Sequence, residues 1–311
     1  MRIETKVKLK ELAPSIIVMI FFWIIAITQW QSSGEISSLY NFLYIGTVIG
    51  LLSVVFAILP RKKKPLGRKL TQIFIGGYLL IGGGLISIEN FQIEGFFYYL
   101  MAGVISGAVI HYAVGKIFGP LLFGRAWCGW ACWTAMILDI LPFTRSSGRI
   151  PGKWGLLRYV HFILSLSIIL LLWFGFGYRI IPGSNIDLNW FIAGNVIYFF
   201  AGITMAFMFK DNRAFCKYLC PITAFLKVTS RFSLIKIKGD DKKCNMCRAC
   251  EKVCPMDIRI SEYIKNGDRV LSTECILCET CVNTCPRETL KQSIGFDIGG
   301  KELLKEKQSN T

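Results

Sequence analysis

The sequence predicts an α-helical membrane bundle followed by a small cysteine-rich α+β domain. Long apolar stretches fill the first two thirds of the chain, which is 53 % hydrophobic with a mean hydropathy of +0.48 over 311 residues. A soluble protein of ordinary composition is less apolar than this. Of the 12 cysteines in the chain, the last eight fall between residues 244 and 285, so the predicted domain after the bundle has its own chemistry.

Six apolar stretches have about the ~20 residues that a helix needs to cross a bilayer. They lie at residues 14–30, 40–60, 70–88, 96–115, 159–177 and 190–209. We expect each to form a transmembrane helix. The first is expected to stay as an anchor, because its apolar run continues to Trp30 without a small-residue cleavage site.

The positive charges alternate with the apolar stretches. Lysines and arginines crowd into 1–10, 61–69, 145–158 and 210–243, whereas 31–40 and 89–95 have none. By the positive-inside rule, both termini and all cysteines face the cytoplasm of a bacterial or archaeal cell, and the protein lies in its cytoplasmic membrane. The net charge of +16 is therefore an orientation signal towards lipid headgroups, and no nucleic acid is expected as a partner.

Two cysteine motifs define the C-terminal domain: Cys244-x-x-Cys247-x-x-Cys250-x-x-x-Cys254-Pro255 and Cys275-x-x-Cys278-x-x-Cys281-x-x-x-Cys285-Pro286. In this spacing three thiolates bind one 4Fe–4S cluster and the fourth binds the neighbouring cluster. The predicted ligand sets are Cys244, Cys247, Cys250 and Cys285 for cluster 1, and Cys275, Cys278, Cys281 and Cys254 for cluster 2. Zinc does not use this spacing, and disulfides are not expected on a reducing face.

These motifs divide the chain into four parts. We expect a membrane domain at 1–222, a linker at 223–240, a bacterial-type double 4Fe–4S ferredoxin-like domain at 241–295, and a polar tail at 296–311. Alternating residues from Phe232 to Lys238 indicate a strand, and Arg269–Leu271 is a candidate for a second one. The polar tail is expected to be a loose helix or disordered.

The other four cysteines belong to an internal repeat. Arg125-Ala-Trp-Cys128-Gly-Trp-Ala-Cys132 follows the fourth stretch, and Arg213-Ala-Phe-Cys216-Lys-Tyr-Leu-Cys220 follows the sixth. A pair of cysteines four residues apart lies on one helix face. The four thiols are therefore candidates for a third cluster or another metal at the membrane edge; redox-active thiols or buried small hydrophobes are the alternatives. Arg125 and Arg213 either neutralise thiolates or anchor helix ends at headgroups.

With these motifs the chain resembles the NapH/MauN family of membrane iron–sulfur proteins, and its core is also similar to the membrane part of NosR. Cys216 to Pro221 matches the family's Cys-x-x-x-Cys-Pro motif, whereas Trp133 stands where the first copy has proline. The resemblance implies electron transfer between the quinone pool and a partner redox protein, as by a quinol dehydrogenase component of anaerobic respiration.

Oxidising a quinol also releases protons, so a quinol site needs proton-accepting groups. His111 in the fourth stretch, His161 at the start of the fifth and Asp139 after the first cysteine pair are the candidates. A histidine between membrane helices serves equally well as a helix-to-helix hydrogen bond. Because the two histidines lie at different depths, they are not expected to share a haem.

Two other functions remain open. A copper reductase or maturation factor of the CcoG type shares both kinds of cysteine motif, and soft thiolates suit Cu(I). A membrane redox sensor without net turnover is the other alternative.

Overall fold

The computed structural model describes residues 9–34, 36–179, 181 and 183–307. Within these residues, five helices are long and apolar enough to cross a membrane, and a shorter apolar helix, Gly107–Phe123, lies between the third and the fourth. The five are Ser15–Ser32, Leu39–Ile58, Arg61–Ile86, Trp154–Gly175 and Asn185–Phe209. Large apolar side chains such as Ile163 and Phe200 are exposed on them, as expected for helices solvated by lipid.

Lipid offers no hydrogen-bond partners, so the backbone N–H and C=O groups of the apolar segments bond to one another within helices. In chain order the helices are α1 Leu9–Ser33, α2 Ile36–Ile58, α3 Lys64–Tyr78, α4 Ile93–Met101, α5 Gly107–Tyr112, α6 Gly119–Phe123, α7 Ala126–Trp130, α8 Trp133–Leu138, α9 Leu157–Leu170, α10 Asn185–Phe209, α11 Ala214–Tyr218 and α12 Pro221–Ser230. π-Helical turns prolong α3 through Leu79–Ile86, join α5 to α6 through Ala113–Phe118, and prolong α9 through Leu171–Gly175.

The fourth predicted stretch, 96–115, is not one helix. α4 ends at Met101, and Gly103 then adopts a φ of +69°, a left-handed conformation that glycine tolerates readily. α5 starts after Ser106, whose hydroxyl accepts a hydrogen bond from the Val109 backbone N–H at 3.4 Å. Hydropathy is continuous across this turn, so the apolar composition alone did not reveal the break.

α4 belongs to a re-entrant arm formed by residues 87–106. The first turn of α4 lies beside the beginning of α9, where Glu94 is within electrostatic range of His161. The end of α4 lies beside the π-helical turn that prolongs α9, where Tyr98 contacts Trp173. α4 therefore starts deep in the bundle, near the face that carries the cysteine motifs. The chain leaves α3 on the face of the bundle opposite the cysteine motifs and enters the bundle interior. It then returns to that opposite face along α4.

Six crossings result from this arrangement: α1, α2, α3, the stretch from α5 to α6, α9 and α10. The predicted number of about six spans agrees with the structure, but the fourth crossing is 107–123 instead of 96–115. The re-entrant arm packs against this crossing, with the Phe96 and Tyr112 rings stacked at a centroid distance of 4.7 Å.

The C-terminal region is a small α+β unit, as predicted. Strand β1, Ile235–Gly239, pairs antiparallel with β2, Leu290–Ile294, with Ile237 opposite Gln292. Helices α13 Ala249–Lys252, α14 Ile260–Lys265 and α15 Thr280–Thr284 lie between the strands in sequence. Ile237, Ile258 and Val270 are buried in its core together with several cysteines.

Two parts of the predicted domain division differ from the structure. Residues 223–240 do not form a free linker, because they hold most of α12 and the whole of β1. Arg269 makes a single bridge to Lys238, and β2 supplies the second strand instead of residues 269–271.

The tail is ordered through residue 307 and extended, so the expectation of a loose or disordered helix is wrong for residues 296–307. The Lys305 backbone N–H donates to the Asp257 carbonyl at 2.7 Å, and the Lys307 N–H donates to the Arg149 carbonyl at 2.7 Å. The tail thus ties the C-terminal unit to the loop before α9. Residues 308–311 lie outside the described residues.

Gly95 allows the re-entrant arm to pack, because a Cβ there would lie 2.1 Å from the backbone carbonyl oxygen of Asn90. Replacing Gly95 by Ala should lower the free energy of unfolding by about 1–3 kcal/mol, as overpacking does. Gly77→Ala is the matched control, since a Cβ added at Gly77 would have no atom within 4 Å. Thermal unfolding of both variants in detergent measures the difference; equal stability would contradict this account of the arm.

Candidate iron–sulfur sites

The cysteines of the predicted cluster 2 surround one cavity in the C-terminal unit. Cys254, Cys275, Cys278 and Cys281 line it together with apolar side chains that include Met256. Burial raises the pKa of both Cys254 and Cys275 to about 12, so as free thiols they are protonated at neutral pH. A bound metal centre removes such protons, because its positive charge stabilises the thiolate.

The cysteines of the predicted cluster 1 surround a second cavity. Cys244, Cys247, Cys250 and Cys285 line it, and Arg248 and Arg287 stand at its edge. Cys247 is exposed to solvent. The two cavities therefore differ in their access to solvent.

The backbone around both cavities has the same unusual conformation. The residues on either side of each central cysteine, Met246 and Arg248 in one loop and Leu277 and Glu279 in the other, have positive φ between 45° and 57°. Such residues cost about 1–3 kcal/mol each and persist only where surrounding structure demands them. Alternating left- and right-handed residues turn successive N–H groups towards one point, which makes a concavity for an anion.

Among the described residues there is no group of three or more His, Cys, Asp or Glu side chains placed to hold a single metal ion. The ligands of a 4Fe–4S cluster bind different irons, so they do not converge on one point. The donor sets, the cavities and the inward-facing amides fit a cluster in each loop.

The two copies of the membrane-edge motif fold alike. Cys132 and Cys220 each precede a short helix, and their N–H groups donate to the Trp127 and Phe215 carbonyls at 3.0 and 2.9 Å. A proline restricts the residue before it to an extended conformation, which Cys220 adopts before Pro221. Cys132 adopts nearly the same conformation before Trp133, with a ψ of 120° against 115° for Cys220. The turn at Cys132 therefore forms even though Trp133 replaces the proline.

The structure brings the four membrane-edge cysteines together. Cys128 and Cys216 are buried, and all four thiols are within electrostatic range of one another. The Arg213 guanidinium of the second copy donates to the Cys128 carbonyl of the first at 3.0 Å, which locks the two copies together.

Three buried cations surround these thiols. Arg125 and Arg213 are almost fully shielded, and each has guanidinium nitrogens without a hydrogen-bond partner in the described chain. Lys116, within the membrane stretch 107–123, lies over the Trp127 ring at 4.6 Å and interacts with Cys128 and Cys132. Neither arginine is a headgroup anchor. Buried cations facing sulfur are the environment that an anionic thiolate centre requires.

A buried carboxylate joins the C-terminal unit to the membrane part. Glu274, next to Cys275, is 1 % exposed and pairs with four cations of the membrane part. They are Arg125 at 2.8 Å, Arg149 at 2.9 Å, Arg158 at 3.0 Å and Lys227 at 2.7 Å. Burial alone raises the pKa of Glu274, but the surrounding cations outweigh it and hold the pKa well below its usual range.

Further contacts place the cluster 2 cavity against the first membrane-edge motif. The Trp130 indole N–H donates to the Leu277 carbonyl at 3.0 Å, and Gly129 leaves room for the Ile276 carbonyl. The second motif contributes Lys217, which bridges Asp211 at 2.6 Å and Asp257 at 2.5 Å. Of the two cysteine-lined cavities, that of the predicted cluster 2 is thus the one that faces the four membrane-edge thiols.

The three residues predicted for a quinol site do not form one cluster. His111 is buried among Phe91, Trp127 and Trp133, and its Nε2 has no hydrogen-bond partner in the described chain. His161 lies beside the second motif, where its Nδ1 contacts the Leu219 carbonyl at 2.8 Å.

Asp139 pairs with two arginines, Arg68 at 2.9 Å and Arg213 at 2.6 Å. Burial raises its pKa, but these two guanidinium groups outweigh burial and lower the pKa below its usual value. A carboxylate held in this way is a poor proton acceptor and a good anchor for Arg213.

The structure also reveals site residues that the sequence analysis did not single out: Glu94, Lys116 and Glu274. Lys116 was detectable as a charge inside an apolar stretch. Glu94 was assigned to an outer loop because it precedes the predicted fourth span. Nothing in the local sequence distinguishes Glu274 from other glutamates except its position before Cys275.

Comparison with protein families agrees with this geometry. Residues 236–286 match a 4Fe-4S dicluster domain, and residues 107–147 and 194–239 match a 4Fe-4S binding domain. Each of the latter two segments contains one copy of the membrane-edge motif. The fold, the cysteine sites and these matches define the class: a membrane protein that transfers electrons through iron–sulfur clusters.

Individual relatives narrow the class further. The chain is 27 % identical over 241 residues to the uncharacterized protein MJ0749 of Methanocaldococcus jannaschii, covering 73 % of this chain and 86 % of that protein. It is 26 % identical to the ferredoxin-type protein NapH of Haemophilus influenzae, covering 61 % and 69 %. It is 25 % identical to the methylamine utilization ferredoxin-type protein MauN of Paracoccus denitrificans, covering 65 % and 76 %.

The resemblance to NapH and MauN that the motifs indicated is therefore confirmed. A weaker similarity to the regulatory protein NosR of Stutzerimonas stutzeri spans 83 % of this chain and 37 % of that protein. No solved structure is significantly similar to the chain.

Glu274 provides a test of the contact between the two parts. In Glu274→Gln three buried arginines, Arg125, Arg149 and Arg158, lose their counter-charge, so stability should fall by about 3–5 kcal/mol. The wild-type contribution is present above the ordinary glutamate pKa and is lost as the pH falls through the lowered folded value. The variant should lack this acid-dependent loss.

Chemical unfolding in detergent between pH 3 and pH 7 measures both effects. Glu288→Gln is the control, because its pair with Arg61 is largely exposed and should contribute less than about 1 kcal/mol. If the two variants lost stability equally, the buried carboxylate would not be the anchor.

Proposed function

We propose that the protein passes electrons between the quinone pool and a cytoplasmic redox partner through three iron–sulfur centres. The observation that carries this proposal is the contact between the four membrane-edge thiols and the cluster 2 cavity. It provides a continuous route from a lipid-embedded site to a solvent-exposed one. The similarity to NapH and MauN supports the same function.

In the C-terminal unit the proposed ligands are those that line each cavity. Cys254, Cys275, Cys278 and Cys281 would hold cluster 2, and Cys244, Cys247, Cys250 and Cys285 would hold cluster 1. Such clusters supply one-electron transfer when bound, and the protein tunes them by burial and hydrogen bonds. Among these eight cysteines only Cys247 is exposed, so cluster 1 would have the closer contact with solvent.

For the membrane edge we propose that Cys128, Cys132, Cys216 and Cys220 hold a third 4Fe–4S cluster. Four soft thiolates, three buried cations and the match of both segments to a 4Fe-4S binding domain support a cluster over inert buried thiols. Arg125 links the site to Glu274, beside the cluster 2 ligand Cys275.

Quinol would react beside the second cysteine pair. Because a carbonyl only accepts hydrogen bonds, the Nδ1 of His161 must donate to the Leu219 carbonyl, which leaves Nε2 of the neutral ring as an acceptor. That nitrogen can take a proton from a quinol hydroxyl. Leu219 directly precedes Cys220, so the proton acceptor and the electron acceptor lie side by side.

The redox partner would dock at cluster 1. Lys242, Lys243, Arg248 and Arg287 are exposed around this cavity, and Cys247 is also exposed. A basic rim attracts an acidic protein and orients it for electron transfer. The distribution of lysine and arginine supports a cytoplasmic location for this face.

Iron counting tests the number of centres. Anaerobically purified protein should contain 12 irons for three cuboidal clusters of about four irons each, and two C-terminal clusters alone would give eight. Cys128→Ser combined with Cys216→Ser should lower the content by about four irons, while the paramagnetic resonance signals of the C-terminal clusters remain.

The matched control is Cys254→Ser, which should remove the cluster 2 signal and leave the membrane-edge signal. A wild-type protein with eight irons and as much labile sulfide would contradict the third cluster. Zinc in place of iron would contradict the whole proposal.

The basic rim predicts a salt-dependent reaction with an acidic carrier. In Arg248→Glu/Arg287→Glu, the second-order rate of electron transfer to a flavodoxin should fall about tenfold at low ionic strength and approach wild type at high salt. Arg145→Glu/Lys153→Glu makes the same charge change on exposed residues outside the cavity and serves as the control. Stopped-flow absorbance measures the rates. Equal slowing in both variants would indicate an effect of net charge instead of a docking face.

A further inference from the structure

Glu94 is a carboxylate in the bundle interior that has no role in the proposed electron transfer through the cysteine sites. It lies in the first turn of the re-entrant helix α4 and faces α9 and α10. The Tyr198 hydroxyl donates to its Oε1 at 3.4 Å, and Ser165 on α9 lies close to the carboxylate. Its Oε2 is buried and has no hydrogen-bond partner in the described chain. A carboxyl group at this depth is costly, and it is retained where it has a function.

The surroundings of Glu94 connect it to the second cysteine pair. Tyr198, which bonds Glu94, packs against Phe215 and Cys216. His161, which lies within electrostatic range of Glu94, contacts the carbonyl before Cys220. The contacts of Glu94 itself are with Tyr198 and Ser165. The carboxylate is thus one side chain away from the proposed membrane-edge centre.

The titratable groups facing Glu94 come from three elements. They are His161 on α9, Tyr198 on α10 and Tyr112 on α5. Among these groups the carboxylate oxygen and the unprotonated imidazole nitrogen can accept a proton, whereas the tyrosine hydroxyls act as donors. Two acceptors match the two protons that a quinol releases.

We propose that Glu94 is the second proton acceptor of quinol oxidation, paired with His161. This inference rests on the proposed function. As each O–H bond of the quinol breaks, one proton goes to Nε2 of His161 and the other to Oε2 of Glu94. The quinol becomes a quinone, and its two electrons would be taken up one at a time by the cluster that Cys128, Cys132, Cys216 and Cys220 would hold. The re-entrant arm positions Glu94 near the four membrane-edge cysteines.

Glu94→Gln tests this role because glutamine keeps the hydrogen bonds and cannot accept a proton. With full-length protein in detergent and menadiol as the quinol, cluster reduction should slow by about 100-fold, as loss of a general base does. Reduction by dithionite and the iron content should stay unchanged. The infrared difference spectrum between oxidised and reduced wild type should contain a protonated carboxyl band that is missing in the variant.

Two further variants separate chemistry from structure. Glu94→Asp keeps a carboxylate and should retain an intermediate rate, with the carboxyl band shifted. Glu89→Gln makes the same chemical change near the beginning of the arm, where the carboxylate accepts a hydrogen bond from the Ala108 N–H at 2.8 Å. This variant should react as wild type.

The outcomes are distinguishable. An unchanged menadiol rate and carboxyl band in Glu94→Gln would overturn this inference and leave the proposed function standing. The same holds if Glu94→Asp and Glu94→Gln both lose iron, because the residue is then structural. A wild-type protein that dithionite reduces and menadiol does not reduce would overturn the proposed function itself.

Discussion

The burial of one carboxylate, Glu274, among four cations fixes the relation between the two parts of this molecule. Arg125, Arg149, Arg158 and Lys227 come from different segments of the membrane part and meet at a single residue of the C-terminal unit. A buried ion of either sign is costly without its partner, so neither part is well satisfied alone. Because Glu274 precedes Cys275, the anchor of the interface lies next to a proposed cluster ligand. The interface therefore sets how close the two redox sites lie.

The duplicated motif shows how one local structure serves two purposes. Both copies place their second cysteine at the start of a short helix through the same turn. The arginine of the first copy extends outward to Glu274, whereas the arginine of the second extends across to the Cys128 carbonyl and to Asp139. The arginine of the first copy thus binds the C-terminal unit, and the arginine of the second copy binds the first copy. Identical turns keep the thiols together while their neighbours differ.

In the proposed function, the re-entrant arm separates the path of the protons from the path of the electrons. Electrons have a route through cysteine sites towards solvent, where Cys247 is exposed. The polar groups that can hold protons, Glu94 and His161, stay within the helical bundle beside the second cysteine pair. A straight transmembrane helix over 96–115 would have left Glu94 in an outer loop. The break at Gly103 is what allows a carboxylate from the opposite face to reach this depth.

Composition and short-range spacing were enough to define the class of the protein, because both are local properties of the chain. Apolar stretches indicated a bundle of about six crossings, and the spacing of cysteines with proline predicted two clusters and their ligand sets. Strand β1 was detectable as an alternating pattern. The same local information failed where a continuous apolar run hid the turn at Gly103, and where a polar segment, the tail up to residue 307, found its hydrogen-bond partners in distant segments.

Which charges meet became clear only from the packing of the folded chain. Asp139 read as a possible proton acceptor until two arginines from other helices were seen beside it, and Glu94 read as a loop residue until the arm carried it inward. Glu274 gave no local signal, since its partners are between 47 and 149 residues away in the chain. Residue type and spacing determine which cofactor a loop is built to hold. The partners of a buried charge depend on long-range packing, which no short stretch of sequence contains.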